Sequence, residues 1–160
     1  MAPTQPSHEE VVLLMGTVPQ QLSDLVSGLD ELHLTYRHAP AFPTLREVIG
    51  HVCEAGMAID GLLRQACLDG LHELPVQATI DPTPDPDLSP PTSELLEGFA
   101  RVRCQTLDLL HGLPPEAWQR RVVDPLRGEL TLLEVCQLVA EHELAHLSQL
   151  RSLIALLPAS

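Results

Sequence analysis

The sequence predicts an all-α protein, a four-helix bundle with a long proline-rich connection between its second and third long helices. Three observations carry this. Four stretches repeat apolar residues at three- and four-residue spacing, the period of a helix packed on one face. No stretch alternates apolar and polar residues as a half-buried strand does. Aromatic residues are scarce, Tyr36, Phe42, Phe99 and Trp118 being all there are, so the core is mainly Leu, Val and Ala, which suits helix packing. At 160 residues the chain is short enough for one domain and long enough for a real core, and residues 1–160 are expected to form a single domain.

The first helix is expected to start at His8, with Ser7 as its cap and Glu9 and Glu10 in its first turn. Val11, Val12, Met15, Leu22, Leu25, Val26 and Leu29 carry its pattern to about residues 28–32, and Gly16 and Pro19 predict a kink or break near residues 17–19. Residues 33–43 read as a loop. Thr44 with Glu47 three residues on is a capping box, and opens a second long helix that runs to about Leu68. Residues 71–92 hold six prolines, which exclude helix and sheet interior. A connection of that length can cross a bundle end to end, so the helices it joins need not be antiparallel. The third helix runs from Thr92 or Ser93 to about Leu110, with Leu95, Leu96, Phe99, Val102, Leu107 and Leu110 apolar. Residues 114–118 look like a single helical turn, and residues 119–130 like a second connection. Thr131 and Glu134 form another capping box, and the fourth helix extends to about Leu157. The two openings, Thr44-Leu-Arg-Glu-Val and Thr131-Leu-Leu-Glu-Val, nearly repeat.

Charge narrows the function. The formal net charge is −13, every basic side chain is Arg, and only Arg120-Arg121 adjoin. A nucleic-acid surface needs clustered basic residues, so neither nucleic acid nor an anionic membrane is an expected partner. No apolar run is long enough to span a bilayer, and the first apolar cluster follows two glutamates instead of a basic segment. Cys53, Cys67, Cys104 and Cys136 sit singly in helical patterns and form no CxxC pair. Mostly buried thiols in a cytoplasmic protein are expected.

The chemistry-bearing stretch is Glu141-His142-Glu143-Leu144-Ala145-His146. His142 and His146 lie one turn apart on the stripe of Val135, Val139 and Leu153, and two such imidazoles can share a metal ion. His51 lies on a core-edge line of the second long helix. Bundles build metal sites from inward side chains on facing helices. His51, His142 and His146 are therefore either metal ligands or hydrogen-bonded core histidines. Glu143 completes H-E-x-x-H, the metalloprotease motif, but few residues remain for a third ligand downstream and no strand is predicted to hold a substrate. Glu143 points off the His142/His146 line and reads as a solvated or inter-helix carboxylate. Glu54 and Gln149 are candidates for a further ligand, for an acceptor to an imidazole N–H, or for plain surface residues. His8, His33, His38, His72 and His111 fall at helix ends or in loops and receive no role.

The segments Glu47-Val48-Ile49-Gly50-His51-Val52-Cys53-Glu54 and His142-Glu143-Leu144-Ala145-His146-Leu147-Ser148-Gln149, with the insert Leu113-Pro114-Pro115-Glu116-Ala117-Trp118, resemble the DinB/YfiT-like superfamily of metalloenzymes. The resemblance runs over nearly the whole chain. It implies a four-helix bundle with a non-standard connection, a divalent ion on His51, His142 and His146, and a homodimer. It also implies a small-molecule substrate, with a low-molecular-weight thiol as one class, since relatives include thiol-dependent transferases and isomerases. Relatives carry Trp-Ser before the second helix where this chain has Pro43-Thr44, so the pocket wall near the ion differs. Zinc is the first expectation for the ion, with nickel, iron or manganese also suited to imidazole. Two expectations follow: a metal-dependent enzyme of the thiol S-transferase or hydrolase type, or a non-catalytic metal-binding dimeric bundle. A third reading, a bundle without metal, leaves the three histidines as core hydrogen-bonders.

Overall fold

The computed structural model describes residues 4–70, 73 and 86–159. The chain order is α1 (His8–Val26), α2 (Glu31–Thr35), α3 (Leu45–Leu68), α4 (Thr92–His111), a 3-10 turn (Pro115–Gln119), strands β1 (Arg121–Asp124) and β2 (Gly128–Thr131), and α5 (Leu132–Ala155). The all-α expectation holds. Ser7, Thr44 and Thr131 each cap a long helix, with Glu10, Glu47 and Glu134 closing the capping boxes. Most of the proline-rich connection, with His72, lies outside the described residues. Among the described residues, no helix is long and apolar enough to cross a membrane.

Three local expectations are corrected. α1 does not break at Pro19; it continues to Val26. It also ends earlier than expected, and Asp30 caps the separate short helix α2 where a loop was read. Residues 121–131 form a two-stranded antiparallel hairpin, with Arg121 opposite Thr131 and Asp124 opposite Gly128. Each strand is four residues long, too short to show alternation in the sequence. The hairpin is set instead by its turn: Asp124 Oδ1 accepts the N–H groups of Leu126 and Arg127, and Gly128 takes φ +81°.

The long helices close a ring in which α3 packs on α4, α4 on α1, α1 on α5 and α5 on α3. Their directions follow from the core, which has two apolar clusters. One holds Val11 to Met15 of α1, Ile59 and Leu63 of α3, Leu110 of α4 and residues 132–140 of α5. The other holds Val18 and Leu22, residues 45–53, Leu95 and Phe99, and Leu147 to Leu153. Passing from the first cluster to the second, α1 and α5 run forward and α3 and α4 run backward. So α3 and α4 are parallel neighbours, as are α1 and α5. The connection after α3 must therefore return along the bundle's length, as its length allowed. Gly56 permits the close α3–α4 approach, because a Cβ there would run into the Phe99 ring.

Candidate metal centre

His51 comes from the N-terminal part of α3, and His142 and His146 from the middle of α5. The antiparallel packing of these two helices brings the three rings together. His51 Nε2 lies 3.3 Å from His142 Nε2, and His146 Nε2 lies 3.1 Å from it. Among the described residues, this is where His, Cys and carboxylate atoms gather closely enough to hold an ion, all three ligand atoms lying within 4.8 Å of one another.

The donor set suits a cation. His146 Nδ1 is 2.8 Å from Gln149 Oε1, an acceptor, so in the neutral ring the proton sits on Nδ1 and the Nε2 lone pair faces His142. His142 Nε2 can then be a donor to His146 or an acceptor from His51, but not both. With neutral rings, only one of the two short N···N contacts can be a hydrogen bond. An ion at the centre accepts all three lone pairs. Three tetrahedrally disposed nitrogens at about 2.0–2.1 Å from zinc stand about 3.3–3.4 Å apart, close to the separations seen. Gln149 thus takes one of its expected parts, orienting a ring by accepting its N–H.

The environment differs from the sequence reading in one respect. The three imidazoles are half-buried, at the edge of the helix interface, and Glu143 is the buried residue, 2% exposed. Glu143 is an inter-helix carboxylate. Its two oxygens accept from Arg103 Nη1 and Nη2 at 2.8 and 2.7 Å, and Arg103 Nε donates to Asp60 Oδ2 at 2.9 Å. Burial pushes the Glu143 carboxyl up, with Arg103 pulling it back. Burial also opposes the Arg103 charge, but Glu143 and Asp60 outweigh it and hold the guanidinium above its ordinary value. With both oxygens engaged inside the core, Glu143 is not placed as a general base beside the histidines.

Sequence reasoning did not single out Arg103 or Asp60. A signal existed: Phe99, Arg103, Thr106 and Leu110 form the buried stripe of α4, so Arg103 occupies an apolar position. Val102 and Leu107, read as part of that face, are only half-buried.

Glu54 serves a neighbouring segment. Its Oε1 accepts the Asp87 N–H at 2.8 Å, and Arg46 Nη2 donates to the carbonyls of Leu88 and Pro90. Residues 86–90 are thus strapped along α3 beside His51. Gly50 makes room for them, since a Cβ there would lie 2.9 Å from Leu88 Cδ2. Cys53 is fully buried in the apolar cluster and does not join the three nitrogens. Burial, then Glu143 and Glu54, push its thiol up to about 12.

No curated protein matches the chain. In structure it is similar to YfiT from Bacillus subtilis, described as "a probable metal-dependent hydrolase with an unusual four-helix bundle topology", with a TM-score of 0.73 at 16% identity over 96% of this chain and 91% of that one. At that identity the likeness establishes the four-helix fold. The sequence model of the DinB superfamily matches residues 15–150, a span that holds α3, α4, all three histidines and most of α1 and α5, and the chain belongs to that superfamily.

Proposed function

We propose that this protein is a metal-dependent enzyme acting on a small molecule, with His51, His142 and His146 as the ligands of one divalent ion. The observation that carries the reading is the convergence of three Nε2 atoms from two helices, with contacts that neutral rings cannot all satisfy by hydrogen bonding. Zinc is the first choice, and nickel, iron or manganese also suit an all-imidazole set. Among the described residues, no fourth His, Cys or carboxylate atom joins the group, which leaves positions for water or substrate as catalytic sites do. When bound, such an ion lowers the pKa of a water or thiol and supplies a nucleophile at neutral pH. The chain's own part is to present three lone pairs, to hold His146 through Gln149, and to wall the site with residues 86–90. Hydrolysis and transfer to a low-molecular-weight thiol both fit this chemistry. The fold's likeness to a protein described as a probable metal-dependent hydrolase favours the first, and the superfamily resemblance read from the sequence admits the second. The wider reading of a single domain, a cytoplasmic setting and a homodimer rests on the sequence and that resemblance.

The test is elemental analysis of the purified protein. About one ion per chain is expected, and His146→Ala should lose it. Equal metal content in the two proteins would sink the site. Turnover of a panel of hydrolysable substrates, and of electrophiles offered with thiols, then separates the reactions. A metal-loaded protein inert to both favours the non-catalytic bundle.

A further inference from the structure

Arg103 belongs to α4, which supplies none of the three imidazoles, yet its guanidinium ties together the two helices that do. Asp60, its Nε partner, is on α3, about two and a half turns beyond His51. Glu143, held by both Nη groups, directly follows His142 on α5. Arg103 Nη1 also donates to the Met15 carbonyl of α1 at 3.0 Å. That carbonyl is available for a reason found in the sequence. Its usual helical donor is the N–H four residues on, and that residue is Pro19, which has none. One side chain thus joins all four long helices at the level between the two apolar clusters. Arg103 is fully buried, and its guanidinium carbon lies 4.8 Å from the Phe99 ring centre.

The two kinds of separation in the histidine group have different origins. His142 and His146 share a helix, so α5 alone sets their spacing. His51 stands on α3, so its 3.3 Å contact with His142 depends on how α3 and α5 are aligned. A slip of one residue along a helix moves a side chain by about 1.5 Å, half of that contact. Apolar packing is non-directional and resists such a slip weakly. A forked guanidinium–carboxylate pair has fixed geometry and resists it strongly. We infer that Arg103 is a positioning residue for the histidine site, bridging Asp60 and Glu143 to fix the alignment in which His51 meets His142 and His146. The inference rests on the reading that these histidines hold a divalent ion. It gives Glu143 of H-E-x-x-H the work of a tether.

The experiment measures cobalt(II) binding by the full chain at neutral pH, by competition with a chelating dye and by the visible ligand-field spectrum. Arg103→Lys keeps the charge and loses the fork. The triple variant Asp60→Leu, Arg103→Met, Glu143→Met removes every buried charge of the cluster, a change that buried ion clusters often tolerate. Both should unfold cooperatively while binding cobalt about 10–100-fold more weakly, with an altered spectrum. A variant that folds and keeps the wild-type affinity and spectrum overturns the inference and leaves the metal reading standing. Should the triple variant fail to fold, Arg103→Lys decides alone. Wild-type protein that takes up no cobalt overturns the metal reading itself, and this inference with it.

Discussion

Cys136 is fully buried, and its thiol is pushed well above its ordinary value, first by burial and then by Cys67 and Asp60, with Arg103 opposing. The unfolded chain releases that proton near pH 9, whereas the folded chain keeps it. The contribution to stability is therefore complete below about pH 9 and is lost as pH rises above it toward the folded value, by about 1.4 kcal/mol per pH unit. Urea midpoints should fall between pH 8 and pH 10, and Cys136→Ala should flatten part of that fall. A midpoint constant over the interval would contradict the assignment. Residue by residue, the sequence was legible wherever the signal was local. Thr44, Thr131 and Ser7 stand three residues before a glutamate, and that spacing alone defines their caps. His142 and His146 needed only the helical period. Arg103 and Asp60 were harder, because a lone charge in a helical pattern reads as a solvated face, and its burial becomes visible only when partners on other helices are known. Cys104 also departs from expectation. It adjoins Arg103 but lies off the buried stripe of α4, and is exposed.

At the scale of the element, two glycines of α3 make opposite predictions from one substitution. Glycine inside a helix is less stable than alanine by roughly 0.5–1 kcal/mol. At Gly61 an added Cβ meets nothing within 4 Å, so Gly61→Ala should raise stability by about that amount. At Gly56 the new methyl collides with the buried Phe99 ring, and overpacking of this kind costs about 1–3 kcal/mol. Gly56→Ala should therefore lower the urea midpoint while Gly61→Ala raises it. Equal shifts would mean that the α3–α4 contact is looser than described. Helices were the legible elements because their period spans many residues. The β1–β2 hairpin was not, since its pairing is non-local and only Val122 and Asp124 of β1 are buried. Pro19 was misread for a related reason. The rule that proline breaks a helix treats the freed carbonyl as unsatisfied, and here a guanidinium from another helix satisfies it.

Over the whole molecule, an ion bound by α3 and α5 together stabilises only the folded chain. At a free zinc concentration 100-fold above the dissociation constant the gain is about 2.7 kcal/mol. For a chain of this size that is a rise of about 5–10 °C in Tm, reversed by a chelator. An unchanged Tm with zinc, in protein shown to be metal-free beforehand, would argue against an ion that bridges the two helices. The parallel pairing of α1 with α5 has a mechanical consequence as well. The start of α1 and the end of α5 lie at opposite ends of the bundle, so tension applied between them acts along the α1–α5 seam and loads it in shear. The contacts of such a seam must yield together, whereas those of an antiparallel pair pulled from one end peel apart one turn at a time. The topology that brings His51 to the other two histidines also makes the bundle stiff toward a pull along its axis.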